Sequence, residues 1–409
     1  MSKVSVNTQN RKKDILFCAD TYLEYKFSLR LSKACSKIGY HLLVVTLKPS
    51  ILYRLKVKKV DVLLIRKTVG FIEIPELEKL EKVGDNILSK KGIEQLYFSI
   101  FVFVQKLIDD ERINIIFIWN GQGLTSLPIS EVAKKNNICR IYFELANLPE
   151  KLFIDTMGVN AESSLYQNIE LLKEYNSSHL SYLEWKQNFI KYKKGDPVIP
   201  QLYKSSSKNN FLYFLDYLYC KLNITPISGD FIIRRKVKNK LFVKKKHLSS
   251  GKQTLNKKYI FLPLQINNDT QLVFNSDVNN LEAIKTGYEL AVQRDCVLVV
   301  KPHPASTDPD EINEILQLQQ KLNFVLTDEN TFNLILDAEE VVTINSSVGL
   351  EALILDKKVT FLGKSFYSEL TLELLRNYIL SYLVNIDYFS DDDIDINELD
   401  KVIKRCLLG

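Results

Sequence analysis

Two short polar segments follow buried strands in the C-terminal half of the 409-residue chain. Lys301-Pro-His303-Pro304 ends the apolar run Cys296–Val300, and Asn345-Ser-Ser-Val-Gly349 follows the strand-like run Val341–Ile344. Ammonium and imidazole groups at one strand end, and hydroxyls with free N–H groups at a helix start, are groups that bind phosphate. Ligands of open α/β sheets lie beyond the carboxyl ends of the strands. The sequence therefore predicts a phosphate cradle made by two neighbouring strand ends.

His303 and Lys301 are the ionisable groups of the first segment. His303 can donate a hydrogen bond, and charge when protonated, to a leaving phosphate. A structural or solvated histidine is the alternative. Lys301 either points to the same phosphate or is solvated, and both interpretations stay open at this stage.

The second segment places Ser346 and Ser347 before the predicted helix Leu350–Leu355. Two hydroxyls together with helix-start amides match an anion, whereas simple helix capping is the alternative. Gly349 is expected to let a ligand approach closely. Glu351, in the first turn, either bonds a ribose hydroxyl or complements the helix dipole.

Two carboxylates of the N-terminal half are candidates for chemistry. Glu144 follows the strand-like run Ile138–Phe143, and Asp155 lies in a predicted loop before Gly158. Transfer of a sugar needs a group that activates the acceptor hydroxyl or stabilises positive charge at the anomeric carbon. Either carboxylate can do this across a cleft from His303, and either can equally be a cap or a salt-bridge partner.

Alternating strand and helix patterns predict an α/β protein with two Rossmann-like domains that face a cleft, the GT-B-like arrangement, and a helical, basic insertion. The predicted helices include Tyr22–Lys37, Pro309–Leu322 and Thr331–Asp337, and a long helical stretch from about Ile74 to Asp110 is expected to be interrupted near Gly84 and Gly92. The fourth predicted strand ends in Trp119-Asn-Gly-Gln-Gly123, which places Asn120 and Gln122 at the rim where a ligand would lie. The predicted units are an N-terminal acceptor and catalytic domain (1–160), the insertion (161–256), a C-terminal nucleotide-binding domain (257–375) and C-terminal helices (376–409).

Composition limits the class of protein. Hydrophobic residues make up 46% and charged residues 25%, as in a globular chain and not a disordered one. The net charge of +6 is modest, and no nucleic-acid partner is expected. Six cysteines without CxxC pairs favour a reduced cytoplasmic protein and argue against a disulfide framework or a structural zinc site. We expect no secretory signal and no bilayer-spanning run.

Two charged runs stand out. Phe231–His247 contains eight Lys or Arg residues and no acid, and its apolar residues recur at helical spacing. Such a helix, with its charges from Arg234 to Lys246, can lie on an anionic membrane surface, whereas a solvated connector is the alternative. Asp391–Asp395 resembles a metal-binding run, but a solvated helix start explains it, and no metal site is predicted.

Several of these motifs together resemble the capsular polysaccharide synthesis family, which includes retaining β-Kdo transferases. In the C-terminal half the resemblance is carried by four segments: Phe261-Leu-Pro-Leu-Gln265, Lys301-Pro-His303-Pro304, Asn345–Leu353 and Val359–Tyr367. In the N-terminal half it is carried by Phe143–Pro149, Asp155 and Gly158-Val-Asn160. Leu145-Ala146 stands where the family often has Asp-Gly after the glutamate.

The resemblance implies a GT-B-like transferase that uses CMP-Kdo and needs no cofactor beyond this nucleotide-sugar donor. The implied donor-binding residues are Gln265, Lys301, His303, Ser346, Ser347 and Glu351, with Glu144, Asp155 and His303 as catalytic candidates. The implied acceptor is a glycolipid or growing glycan, so the expected location is cytoplasmic and peripheral at the inner membrane.

Two other functions fit the same residues. A phosphotransferase that moves an alditol phosphate from a CDP-alditol would also use a His-Pro turn and a Ser-Ser helix start. A glycolipid-binding protein linked to polysaccharide export would hold its ligand without turnover and without affinity for nucleotides.

Overall fold

A computed structural model describes the chain except for its two ends and five internal gaps. The described residues are 13–84, 88–110, 112–195, 210–227, 258–306 and 308–408. The basic segment from Arg234 to Lys246 lies outside them. The residues that carry the predicted cradle and the two candidate carboxylates lie inside them.

The first domain is built on a six-stranded sheet. Its strands are β1 (Lys13–Cys18), β2 (Tyr40–Thr46), β3 (Val62–Leu64), β4 (Ile115–Trp119), β5 (Cys139–Leu145) and β6 (Leu152–Asp155). They lie in the order β3-β2-β1-β4-β5-β6. All pairs are parallel except β5 with β6, where Glu144 pairs with Phe153.

Five helices cover this sheet. They are α1 (Tyr22–Lys37), α2 (Pro49–Val57), α3 (Leu77–Val83), α4 (Lys90–Asp109) and α5 (Ser126–Lys135). The start of α1 is fixed by a capping box, in which Thr21 Oγ1 accepts from Glu24 N–H and the Glu24 carboxylate accepts from Thr21 N–H. Helices α1 and α2 pack with one face of the sheet, and α4 and α5 with the other.

A helical segment follows β6. It comprises α6 (Ser164–Gln167), a 3₁₀ turn (Ile169–Glu174), α7 (His179–Lys194) and α8 (Asn210–Lys221). Apolar residues of α7 contribute to the core on the α4 side of the first sheet, and that core continues to residues of the second domain such as Leu350 and Phe332. The helical segment therefore joins the two domains by packing as well as by sequence.

The second domain contains a five-stranded, fully parallel sheet. Its strands are β7 (Tyr259–Pro263), β8 (Val297–Lys301), β9 (Val325–Leu326), β10 (Glu340–Thr343) and β11 (Lys358–Phe361), in the order β11-β10-β7-β8-β9. Its helices are α9 (Thr270–Asn275), α10 (Asn280–Gln293), α11 (Pro309–Leu322), α12 (Thr331–Asp337) and α13 (Ser347–Ile354). Two Rossmann-like domains, as predicted, are confirmed.

The C-terminal residues return to the first domain. After α14 (Leu372–Asn377) and a π turn (Tyr378–Tyr382), helix α15 (Ile396–Leu408) packs on β5 and α1. Arg405 Nη1 donates to the Ile154 carbonyl at 3.2 Å. The C-terminal helices therefore belong, by contact, to the core of the N-terminal domain.

The cysteine prediction was wrong for one pair. Cys139 on β5 and Cys406 on α15 form a disulfide, although 267 residues separate them in sequence. The packing of α15 along β5 brings them together, and nothing in their sequence spacing indicates it. Cys18, Cys35, Cys220 and Cys296 are free thiols.

Most element bounds follow the predicted pattern. The predicted helices Tyr22–Lys37, Pro309–Leu322 and Thr331–Asp337 are confirmed with the same bounds. Helices α2 and α9 were not predicted. Gly92 was expected to interrupt a helix and instead lies in the first turn of α4, where its N–H donates to Ser89 Oγ.

Candidate functional site

The carboxyl ends of β4 and β5 meet the loop that follows β7. Gln122, after β4, exchanges two side-chain amide hydrogen bonds of 3.3 Å with Asn275 at the end of α9. Gln122 is 7% exposed and Asn275 is 1% exposed. Because both amides are buried, breaking one side of the pair leaves unsatisfied polar atoms. This pair is one of the contacts that join the two domains.

Three neighbouring strands of the second sheet end at the predicted cradle. His303 follows β8, Gln265 follows β7, and Ser346 follows β10. All three strands are parallel, so their carboxyl ends lie at one edge of the sheet. The prediction that the histidine and serine strands are neighbours was wrong, because β7 lies between them. The cradle therefore spans three strands.

The imidazole of His303 is oriented by its own turn. Its Nδ1 accepts a hydrogen bond from the Ala305 N–H at 3.1 Å, and its carbonyl accepts from the Ser306 N–H. The neutral ring that accepts at Nδ1 carries its proton on Nε2. A ring in this state can donate from Nε2, and an N–H donor of this kind suits a phosphate oxygen.

The sequence left Lys301 either in contact with the phosphate or solvated, and the structure gives it contacts within its own domain. Its Nζ donates to the Glu329 carbonyl at 2.6 Å and to Thr331 Oγ1 at 2.8 Å. These contacts tie the end of β8 to the start of α12. Lys301 is therefore not simply solvated.

The start of α13 carries the two serines. Ser346 is the N-cap, and its Oγ accepts from the Val348 N–H at 3.2 Å. Ser347 is the first helical residue and is half-buried. Its position leaves the hydroxyl and the first N–H groups of the helix at the sheet edge that His303 shares.

The sequence suggested that Gly349 lets a ligand approach closely, but the structure shows that it allows close packing of a helix instead. A Cβ at this position would lie 2.5 Å from Phe361 Cε1 and 3.1 Å from Thr343 Cγ2. The missing side chain lets α13 pack closely on β10 and β11. Gly349 therefore sets the position of the helix that presents Ser346 and Ser347.

Gln265 and Asn345 form a buried amide pair beneath the serines. Gln265 Nε2 donates to Asn345 Oδ1 at 2.9 Å, and the Asn345 N–H donates to Gln265 Oε1 at 3.1 Å. Asn345 Nδ2 donates onward to the carbonyls of Gln271 and Asn275. Gln265 thus positions the α13 start instead of offering its amide to a ligand, and the same network reaches the domain contact.

Glu351 is committed to an ion pair. Its carboxylate accepts from Lys193 of α7 at 2.7 Å, and the residue is 9% exposed. Burial raises the pKa of Glu351, and the Lys193 ammonium opposes that rise. This pair links the helical segment to α13. The other carboxylate oxygen of Glu351 has no hydrogen-bond partner among the described residues, so it is the oxygen left for a ribose hydroxyl.

Glu144 lies within β5, not beyond it as predicted, and faces the second domain. Asn120 Nδ2 donates to its Oε2 at 2.5 Å, and the Leu145 N–H donates to its Oε1 at 2.9 Å. Burial raises its pKa to about 7 against these hydrogen bonds, and Asp269 adds to the rise. Asn120 adopts the left-handed region (φ 61°) at the turn that aims its amide at Glu144.

Asp155 is the last residue of β6, not a loop residue as predicted. It is 3% exposed, and both of its oxygens accept hydrogen bonds. Oδ1 accepts from Met157 N–H at 2.7 Å, and Oδ2 accepts from Ser164 N–H at 3.0 Å and Tyr382 Oη at 2.9 Å. This arrangement holds the turn after β6 against the π turn and leaves Asp155 little capacity for a substrate.

Sequence reasoning missed several groups at the same place. Asp269, the N-cap of α9, raises the pKa of Glu144, and burial raises its own pKa. Trp119 and Tyr388 stack at 4.4 Å between ring centroids near Glu144. Tyr388 is separated from Trp119 by most of the chain, so no local pattern indicates this contact. The signal available for Asp269 in the sequence was its position as a helix N-cap.

A second unpredicted group lies beside β1. Asp20 and Glu24 line a cavity of about 190 Å³ with Trp119, Asn120 and, from the second domain, Thr270. Burial and the neighbouring Asp20 raise the pKa of Glu24. This cavity gives the first domain a polar, acidic pocket at the domain boundary.

A larger opening of about 620 Å³ lies between α6 and the segment after β11. Polar residues line it, including Asn168, Asp277 and Ser365, together with the Tyr166 ring. The predicted site residues are absent from its lining. Glu144, His303 and the Ser346–Ser347 corner therefore lie outside this opening.

Metal ligands were not expected, and the described part of the chain holds no group of three or more His, Cys, Asp or Glu residues placed to bind a metal. Three acids of the run Asp391–Asp395 instead pair with or hydrogen-bond to helix α1. Asp393 accepts from Lys33 at 2.6 Å, and this contact lowers the pKa of Asp393. The run precedes α15, which begins at Ile396.

The fold and the site define a class: a two-domain α/β protein with a histidine turn and a serine helix start at one edge of the second sheet, and a glutamate of raised pKa on the first sheet. A profile described as "Capsule polysaccharide biosynthesis protein" matches residues 115–373. The chain belongs to this capsule polysaccharide biosynthesis family. No match was found among curated proteins.

Solved structures give weaker likenesses. The β-Kdo 2,7 transferase KpsC of Thermosulfurimonas dismutans is 18% identical over 74% of this chain and 88% of that chain, with a TM-score of 0.39. The β-Kdo 2,4 transferase KpsC of the same organism is 15% identical over 72% and 88%, with a TM-score of 0.43. The Methanocaldococcus jannaschii UDP-GlcNAc 2-epimerase is 13% identical over 97% and 100%, with a TM-score of 0.36.

Proposed function

We propose that the protein is a glycosyltransferase of surface polysaccharide synthesis that transfers Kdo from CMP-Kdo to a glycolipid or glycan acceptor. The observation that carries the proposal is the sharing of one sheet edge by His303 and the α13 start. That edge provides an Nε2–H donor, hydroxyls and helix-start amides, which suit the phosphate of a departing nucleotide. Membership of a capsule biosynthesis family supports the substrate class.

In this proposal the two domains divide the chemistry. His303 and the Ser346–Ser347 corner stabilise the negative charge that develops on the nucleotide phosphate as the bond to the sugar breaks. Glu144, whose pKa of about 7 suits proton transfer near neutrality, accepts the proton of the acceptor hydroxyl or stabilises positive charge at the anomeric carbon. Asn120 orients Glu144, and Asp155 holds the adjacent turn.

Glu351 is proposed to contact the donor ribose through the oxygen that Lys193 does not use. Lys301 and Gln265 are proposed to act on the donor indirectly, by fixing the ends of β8 and β10. A peripheral position at the inner face of the cytoplasmic membrane follows from the proposed lipid-linked acceptor. Among the described residues, no helix is both long and apolar enough to span a bilayer.

The deciding experiment offers purified protein a panel of donors with a glycolipid or glycan acceptor and measures the product by mass spectrometry. The expected result is an acceptor mass increased by one Kdo residue with CMP-Kdo only. An increase by an alditol phosphate from a CDP-alditol would replace the proposal with a phosphotransferase. Binding of glycolipid with no product and no nucleotide affinity would replace it with a binding protein.

The substitution His303→Ala tests the proposed contact with the nucleotide-sugar donor. We expect transfer to be lost while the melting temperature is retained, because the imidazole is half-buried and bonds within its own turn. Full activity in this variant would remove His303 from the mechanism.

A further inference from the structure

A groove crosses the open edge of the first sheet at β3, well away from the domain boundary. Its volume is about 720 Å³, and α2, β3, α4 and the end of α8 line it. Three strands separate β3 from β5, which carries Glu144. At the usual spacing of strands this places the groove about 19 Å from β5.

The floor of the groove is apolar. Leu52, Val62, Phe103, Leu107 and Tyr219 contribute side chains from four different elements. A free inorganic phosphate or sugar phosphate has no apolar part that would pack on such a floor. The groove therefore fits a ligand with an apolar part.

Four cations surround this floor. Lys56, Arg66, Lys106 and Arg112 line the groove, and Asp110 is the one acid among its lining residues. All four cations are exposed. Within the described ranges, none of the four takes part in a salt bridge. The groove therefore carries a net charge of three positive units and its cations are available to a ligand.

Exposed apolar side chains flank the same groove. Val57, next to Lys56, and Leu222, two residues before the lining residue Ile224, are each 60% exposed. Large apolar side chains beside clustered cations are the pattern of surfaces that enter the headgroup layer of an anionic bilayer.

The chain's own basic segment does not suit this groove. The described structure stops at Ile227, three residues after Ile224, and the sequence that follows contains eight Lys or Arg residues between Phe231 and His247. Like charges would repel each other if this segment filled the groove.

We propose that the β3 groove binds an anionic phospholipid of a bilayer, with the phosphate among Lys56, Arg66, Lys106 and Arg112 and the upper acyl chain on the apolar floor. This contact docks the first domain on the membrane surface. The inference stands independently of the transfer reaction, because it uses no residue of the domain boundary.

Vesicle flotation of the full-length protein tests the proposal. The probes are vesicles of phosphatidylcholine alone and of phosphatidylcholine with about one third phosphatidylglycerol. We expect binding to the anionic vesicles only. Replacing Arg66 and Lys106 together by Ala should weaken it roughly 30-fold, since each cation near an anionic surface contributes about fivefold.

Matched variants distinguish binding at this groove from attraction by the overall positive charge of the protein. Lys285→Ala with Lys321→Ala removes two exposed cations of the second domain and should leave binding unchanged within about twofold. Val57→Ser with Leu222→Ser keeps the charge and should make the remaining binding sensitive to salt, because the apolar contribution is lost.

Three results would overturn the proposal. They are absence of binding to anionic vesicles, equal loss in the groove and control variants, and binding of glycerol 3-phosphate that depends on Arg66 and Lys106 as strongly as vesicle binding does. Circular dichroism and the melting temperature check that each variant is folded.

Discussion

At the scale of single residues, the two candidate carboxylates differ in their environments. Glu144 accepts two hydrogen bonds, is partly accessible and has its pKa raised to about 7. Asp155 accepts from backbone and side-chain donors on both oxygens. A carboxylate that can change protonation near pH 7 suits proton transfer. A carboxylate whose two oxygens already accept hydrogen bonds from the protein suits a structural role.

The pH dependence of transfer follows from Glu144. If the carboxylate is the active form, activity rises with pH along a limb centred near 7, because burial keeps the group protonated below that value. Glu144→Gln should abolish transfer and leave donor binding within about threefold, since the amide keeps the shape of the side chain. A steady-state pH profile with calorimetry of CMP binding measures both.

The same group also predicts a trend in stability. Its folded pKa of about 7 exceeds the ordinary value of 4.5, so the folded state binds more protons in that window and loses stability as pH rises through it. Urea unfolding between pH 5 and pH 7 should show this trend weakened in Glu144→Gln. An identical trend in both proteins would contradict the assigned pKa.

Asp155→Asn should act on stability. Asn offers one acceptor oxygen where the carboxylate offers two, so donors from Ser164 or Tyr382 lose their partner. We expect a loss of about 3 kcal/mol in the free energy of unfolding. Asp391→Asn, at a side chain 79% exposed, is the control and should change little. A catalytic defect in Asp155→Asn with unchanged stability would reverse the assignment.

At the scale of elements, the position of α13 decides whether its serines can contribute. Gly349 lets the helix approach Phe361 more closely than any side chain would allow. Gly349→Ala should lower the free energy of unfolding by about 2 kcal/mol and weaken CMP binding, because the helix must shift. Gly349→Ala with Phe361→Leu should recover part of both losses. Unchanged binding in the single variant would show that the helix start does not hold the donor.

Strand and helix periodicity was sufficient to predict the two Rossmann-like domains and most bounds. It could not show that β7 lies between β8 and β10, because strand order depends on long-range pairing. The role of Gly349 was misjudged for the same reason, since Phe361 contacts it from another element. Residue types at strand ends could be predicted, but their partners could not.

At the scale of the whole molecule, the buried amides Gln122 and Asn275 couple the domains. The location of Gln122 at a rim could be inferred from the end of its strand, whereas its partner Asn275 across the boundary could not. Gln122→Ala and Asn275→Ala should each destabilise the protein, and the double variant should lose about 1 kcal/mol less than the sum. Strict additivity in a double-mutant cycle would show that the pair makes no energetic contact.

The C-terminal helix α15 packs against the first sheet. The Cys139–Cys406 disulfide joins it to β5, and Arg405 donates to the carbonyl of Ile154 on β6. This packing places Tyr388 against Trp119 near Glu144. The aromatic wall of the site therefore depends on residues that are far apart in the sequence, which explains why local sequence patterns did not indicate it.

The central claim is that His303 and the Ser346–Ser347 corner hold one nucleotide phosphate. Calorimetric titration of CMP into the wild type, His303→Ala, Ser346→Ala with Ser347→Ala, and the triple variant tests it most directly. The account predicts a loss of roughly tenfold or more in affinity for each of the two changes and a triple variant weaker by less than their product, because both groups act on one ligand. Undiminished CMP affinity in the His303 and serine variants, with folding intact, would contradict it.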